Sequence, residues 1–159
     1  MSVIARLTAW VRSIATYVLG GLYVIFVVPP ALVIALTTRQ RSVLYWTGYV
    51  GVRLALVATG IRIRVEGLQY VCSDRPTVYC ANHASNVEPP ILYVLFRDLF
   101  PRLYIFYKAG LRKMPVLGVG FDIIGFVGIH RGDREKSTAA ITQAAVKLRN
   151  GGSFVIFPE

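Results

Sequence analysis

No charged residue interrupts the chain from Ser13 to Thr38, and this stretch limits the possible folds more than any other feature. At about 1.5 Å of rise per helical residue, its most apolar part, residues 15–36, is long enough to cross a hydrocarbon core of about 30 Å. Pro29-Pro30 removes two helix donors from the middle of the run, so a kink or break is expected there. Residues 17–28, before the prolines, are too short to span alone. A second apolar run, residues 43–61, follows and carries Arg53 near its centre. Arginines flank the first run on both sides (Arg6, Arg12, Arg39, Arg41), so the positive-inside rule does not orient a single crossing. Two arrangements fit: a pair of tilted spanning helices, or a helical hairpin that dips into one leaflet and returns. The proline pair and Arg53 favour the hairpin. Val33-Ile34-Ala35 is a tolerable cleavage site, but the apolar region is too long for a removable leader and continues into more membrane-like sequence. Residues 1–60 are read as a membrane-anchoring helical segment, with a linker near residues 60–67.

The whole chain, 159 residues, is long enough for one compact domain with its own core and not comfortably for two. Lys and Arg number 18 against 8 Asp and Glu, a formal net charge of +10, and 55% of residues are apolar. Seven arginines and no lysine precede Glu66, the first acidic residue. They are interleaved with apolar runs rather than clustered on a polar face, which argues against nucleic acid as a partner. An anionic membrane surface fits, gaining roughly 1 kcal/mol per basic residue near it. Cys72 and Cys80 lack CxxC spacing and are too few for a disulfide framework. Together with His83 and His130 they do not make a zinc-finger pattern, so no metal is expected.

From Arg62 onward, short strands alternate with helices. Residues 61–65 alternate at period two, as does a half-buried strand. Residues 77–81 form a second strand, after a turn around Ser73-Asp74-Arg75-Pro76. Pro89-Pro90 opens an apolar helix over residues 91–100, with the prolines in its first turn. Residues 103–107 and 125–129 are β-rich. Residues 134–148 hold Ala139, Ala140, Ile141, Ala144, Ala145 and Leu148 at helical spacing, ended by Asn150-Gly151-Gly152, and residues 153–157 form a last apolar strand. The pattern predicts an α/β fold with a mostly parallel sheet over residues 61–159.

The junction Asn82-His83-Ala84-Ser85-Asn86-Val87-Glu88 lies where a strand gives way to a helix, a place where open α/β sheets carry function. A carboxylate five residues after a histidine can accept one imidazole N–H and leave the other nitrogen able to take a proton. The same spacing also fits a loop histidine beside a glutamate that merely favours the helix dipole. Cys80 invites a nucleophile reading, but a cysteine inside an apolar strand is usually a small buried hydrophobe. No GxGxxG, GxxxxGK[ST] or GxSxG motif is present.

Asn82-His83 followed by Glu88 resembles the N-H-x4-D block of the glycerolipid acyltransferases, most nearly the 1-acyl-sn-glycerol-3-phosphate (lysophosphatidate) acyltransferases. Three further blocks follow in order. Lys108-Ala109-Gly110-Leu111 with Pro115 and Gly118 is similar to K-x-E-L-x-x-x-P-x-x-G. Residues 125–131, from Gly125 to Arg131, are similar to G-x-I-x-I-x-R. Phe157-Pro158-Glu159 resembles the opening of F-P-E-G-T-R. The resemblance covers residues 77–159. Glu88 stands where the family usually has Asp, and Gly110 where it commonly has Glu. Because Glu159 falls inside a block, the chain is read as a C-terminally truncated piece, and residues 1–159 alone are expected to turn over little or no substrate.

The resemblance implies acyl transfer from acyl-CoA or acyl-carrier protein to lysophosphatidate, giving phosphatidate, at a cytoplasm-facing membrane such as the bacterial inner membrane. The acyl donor is a substrate, and no cofactor is implied. His83 is implied as base and Glu88 as its orienting partner. Lys108 and Arg131 are implied as phosphate ligands by block position, and Glu159 as part of the acceptor site. An acceptor other than lysophosphatidate, such as glycerol 3-phosphate or another lysophospholipid, and a non-catalytic membrane-binding module remain open. Without the resemblance, Lys108 and Arg131 read as solvated strand-end charges. Arg97, Arg102, Arg112 and Lys113 read as a solvated or lipid-facing rim, and His130 as a surface or structural residue.

Overall fold

The computed structural model describes residues 3–114, 116–130 and 132–158. They divide into two compact units, residues 1–68 and 69–159. The first is helical: α1 (Val3–Phe26), α2 (Val28–Thr38) and α3 (Ser42–Thr59). Pro29 and Pro30 sit in the first turn of α2 and have no N–H to offer the carbonyls of Ile25 and Phe26, so the long apolar run is pinched at Val27. Backbone bonds from Val27 to Tyr23 and from Ala31 to Val27 carry the chain through the pinch. The segment Arg6–Thr38 is long and apolar enough to cross a membrane by length and composition.

α3 runs back along α1. Tyr23 Oη donates to the Thr47 carbonyl at 2.7 Å, and its ring lies where a side-chain carbon on Gly51 would come within 2.8 Å. A small residue at that point lets the two helices approach. Ala31, Ala35, Leu44 and Tyr45 fill the centre of the unit. Its outer surface, with Trp10, Val11, Ile14, Tyr17 and Leu54, is apolar and exposed.

The strand expected over residues 61–65 is not formed. Those residues are exposed and irregular, because alternation alone makes a strand only where a partner offers its backbone groups, and none pairs there.

The second unit is built on four parallel strands: β1 (Val78–Cys80), β2 (Leu103–Lys108), β3 (Val127–Ile129) and β4 (Ser153–Ile156). Their order across the sheet is β1-β4-β2-β3. The last strand in sequence therefore enters between the first two, with Cys80 opposite Ile156 and Ile105 opposite Val155. Parallel neighbours need crossover connections, which α4 (Glu88–Leu95), α5 (Leu117–Ile124) and α6 (Arg134–Arg149) supply.

Leu103 and Val155 are 0% exposed at the centre of the sheet. On one face Tyr104, Val127 and Phe154 pack with Ala140, Ala144 and Leu148 of α6, the Tyr104 and Phe154 rings stacked at 5.2 Å. α6 starts on Asp133, whose side chain accepts the Lys136 N–H. Toward α4, Tyr79 meets Phe96 at 4.7 Å. Residues 91–100, expected as one helix, are shared between the end of α4 and a 3-10 turn at Arg97–Leu99.

One further difference from the sequence reading has a local cause. Cys80 is exposed, not buried. It lies opposite Ile156 on the edge strand, which has a neighbour on one side only. Arg112 is an exposed rim charge that is also paired: its Nε and Nη2 lie 3.1 and 2.9 Å from Asp122 Oδ2. That pair ties the 3-10 turn Ala109–Lys113 to α5. Gly118 makes the approach possible, since a side-chain carbon there would fall 2.2 Å from the Arg112 carbonyl oxygen.

Gly118→Ala is expected to lower the thermal midpoint of the second unit, because a backbone carbonyl has to move. Gly120→Ala adds a carbon with nothing within 4 Å and is expected to leave the midpoint unchanged or raise it. Leu103→Ala is expected to cost about 2–5 kcal/mol, read as a lower urea midpoint.

Candidate active site

All four strands point the same way, so their C-terminal ends share one edge of the sheet. Each strand delivers one of the sequence blocks there. Asn82-His83 follows β1, Lys108 ends β2, His130 follows β3, and Phe157-Pro158 follow β4. In open α/β sheets the crevice outside these ends is where ligands bind.

The turn after β1 is held by backbone first. The Ala81 N–H donates to the Ile156 carbonyl at 3.0 Å, extending the β1–β4 ladder by one residue. The chain then folds over Ser85, whose Oγ accepts the Val87 N–H at 3.1 Å. Pro89 and Pro90 have no N–H and so need no acceptor in the first turn of α4, and the helix starts at Glu88 without a side-chain cap. From that position Glu88 reaches back. Its Oε2 accepts the Ser85 N–H at 3.0 Å and lies 3.1 Å from His83 Nδ1.

Glu88 is held as a carboxylate. The Ser85 N–H is the largest cause of a lowered pKa, followed by the His83 contact. The first turn of a helix favours a negative charge there as well. A carboxylate only accepts hydrogen bonds, so Nδ1 carries the proton that joins His83 to Glu88. In the neutral ring, Nε2 is then the bare nitrogen. The two side chains are 27% and 31% exposed, open enough for a substrate to reach. The Phe157 ring lies against the imidazole, centroids 4.7 Å apart and planes tilted by 39°.

The structure thus brings His83 and Glu88 together. Lys108 is exposed at the end of β2, and β4 separates it from β1, so it stands about 10 Å across the sheet from that strand. Arg131 and Glu159 lie outside the described residues. The His130 carbonyl accepts from the Asp133 N–H and from Ser137 Oγ, which anchors the start of α6. Two contributors escaped the sequence reading. Ser85 was visible as a small polar turn residue, but its N–H to Glu88 was not. Phe157 opens a block by resemblance, but nothing local in the sequence marks it as a neighbour of His83.

The family model described as Acyltransferase matches residues 62–159, and this chain belongs to that family. A Borreliella burgdorferi protein named 1-acyl-sn-glycerol-3-phosphate acyltransferase is 26% identical over 108 residues, 68% of this chain and 42% of that protein. A Chlamydomonas reinhardtii protein of the same name is 33% identical over 86 residues, 54% of this chain and 25% of that one. The crystal structure of the 1-acyl-sn-glycerophosphate (LPA) acyltransferase PlsC from Thermotoga maritima superposes with a TM-score of 0.76 at 23% identity. It covers 97% of this chain and 61% of that one, and at that identity the likeness is one of fold. The chain spans less than half the length of either curated relative.

The lowered Glu88 pKa sets the pH dependence of the turn. A carboxylate with a depressed pKa contributes stability that is full above its unfolded value and is lost as pH falls through the folded one. The Ser85 amide proton shift, followed by NMR into acid, is expected to change only below the ordinary glutamate range. A midpoint inside or above that range would contradict the bonding described.

Proposed function

We propose that this protein transfers an acyl chain from a thioester, acyl-CoA or acyl-carrier protein, to the sn-2 hydroxyl of 1-acyl-sn-glycerol 3-phosphate, giving phosphatidate. The observation that carries the reading is the His83 Nδ1–Glu88 bond at the open edge of a parallel sheet, within a chain of the Acyltransferase family. The names of the curated relatives and the four ordered blocks support lysophosphatidate as acceptor.

In this mechanism the acceptor hydroxyl meets His83 Nε2, which takes its proton as the oxygen attacks the thioester carbonyl carbon. The tetrahedral intermediate collapses by breaking the C–S bond. The sulfur leaves as a thiolate, a good leaving group because thiols ionise near pKa 8.5, and it takes the proton back from the imidazolium. Glu88 keeps its charge throughout, fixes the tautomer and stabilises the imidazolium. Lys108 and Arg131 are assigned to the acceptor phosphate, where charge-assisted bonds are strongest, and Glu159 to the rest of the acceptor site. The exposed apolar surface of the helical unit is assigned to the bilayer, at the cytoplasmic face of a bacterial inner membrane.

His83→Ala is expected to lower kcat by about 10²–10⁴-fold in membranes bearing the full-length protein, with acyl-thioester consumption as the measurement. Full activity in that variant would remove the base. Glu88→Gln is expected to lose a comparable factor, because an amide can donate to Nδ1 and select the wrong tautomer, while Glu88→Asp loses less. The same assay, run with glycerol 3-phosphate and with other lysophospholipids, decides the acceptor. Deleting residues 1–60 is expected to release the remainder from sedimented membranes; unchanged sedimentation would overturn the anchor.

A further inference from the structure

One hydrogen bond does not fix an imidazole. The bond to Glu88 holds a single atom, Nδ1, and the ring's terminal torsion is broad. At 27% exposure, water also competes for the Nδ1 proton. Whatever selects one ring orientation has to act on the flat of the ring, and among the described residues the aromatic group there is Phe157.

Three features place it. Phe157 follows Ile156 directly, and Ile156 is tied to β1 through its pairing with Cys80 and its carbonyl bond to Ala81. Pro158 comes next and restricts Phe157 to extended backbone, because its ring collides with the preceding residue in the helical region. Phe154 and Val155 of the same strand are buried in the core, whereas Phe157 is only half-buried, and its ring is packed on His83.

We propose that Phe157 is a positioning residue: by lying against the imidazole it confines His83 to the orientation that presents Nδ1–H to Glu88 and leaves Nε2 facing open space. Its catalytic meaning rests on the reading of His83 as base, but the confinement itself does not. An aromatic face also suits the imidazolium that forms during proton transfer, so the contact persists in both charge states. Leucine at this position keeps apolar volume and loses the flat surface. Tyrosine keeps the flat surface and adds only an oxygen at the ring's far end.

The test is ¹⁵N NMR of the imidazole nitrogens in histidine-labelled protein. The chain has 2 histidines, so a His130→Gln background assigns the signals of His83. With Phe157 present, neutral His83 is expected to show one tautomer, protonated at Nδ1. Phe157→Leu is expected to show averaged shifts from both tautomers, and Phe157→Tyr to restore the single form. The Val155 amide resonance reports whether β4 is intact; if Phe157→Leu disturbs it, Phe157→Met is read in its place. An unchanged tautomer in the folded non-aromatic variant, or a lost one in folded Phe157→Tyr, overturns the proposal. In turnover, Phe157→Leu is expected to lower kcat by up to about 10²-fold with KM unchanged. An equal rise in KM with kcat unchanged overturns the link to proton transfer. A fully active His83→Ala would instead sink the base assignment, with the tautomer result standing.

Discussion

The parallel ladder between β1 and β4 is the constraint on which the rest of the site depends. β1 is three residues long and lies at the sheet edge, so it has one neighbour from which to take its register. That neighbour is the last strand of the chain. The β4 strand can occupy the slot only because the crossovers from β1 to β2 and from β3 to β4 both pass over an intervening strand. The Ala81 and Ile156 backbone groups then extend the pairing past the strands, fixing where His83 and Phe157 leave the sheet. A slip of one residue would send alternate side chains to the opposite face and separate the two rings. Hydrogen bonds between backbones thus decide a contact between side chains far apart in sequence.

Much of this unit was legible because its signals are local. The apolar runs at β2 and β4, the alanine spacing of α6 and the prolines opening α4 each report a condition satisfied within a few residues. The failures are equally physical. β3 begins at Val127 rather than Gly125, because Gly125 takes a left-handed conformation (φ 88°) that closes α5. α5 itself escaped notice: with Gly118 and Gly120 in eight residues its helix propensity is low, and packing against the Ala109–Lys113 turn compensates. Residues 61–65 have a strand's alternation but no partner strand. Cys80 has the neighbours of a buried residue in sequence, yet it lies on the edge strand, which has a neighbour on one side only. Periodicity describes what a segment is able to do; only the order of strands says what it will pack against.

The site was legible in the same divided way. His83 and Glu88 announce themselves by spacing, since a turn of this length after a strand brings a helix-start carboxylate back over the histidine. The Ser85 N–H, which does most to keep Glu88 ionised, is a backbone group and carries no sequence signature. The Phe157 contact requires the strand order, which no local pattern encodes. Resemblance to a family located the blocks without saying which of their residues touch.

The glutamate at position 88 shows how these parts cooperate. Its longer arm, compared with aspartate, lets one carboxylate oxygen lie within bonding distance of both the Ser85 N–H and His83 Nδ1. A pair this exposed gains little from Coulomb attraction, because water screens it. Its geometry has to come from neutral constraints instead: the Ser85 turn that aims the carboxylate, the prolines that start α4 at Glu88, and the aromatic ring against the imidazole. The proposed function needs openness, since an acceptor hydroxyl would have to reach Nε2, and openness is what makes charge alone a weak restraint. The sheet edge reconciles the two by leaving the imidazole partly open to solvent while the Phe157 ring, set by the end of β4, lies against it.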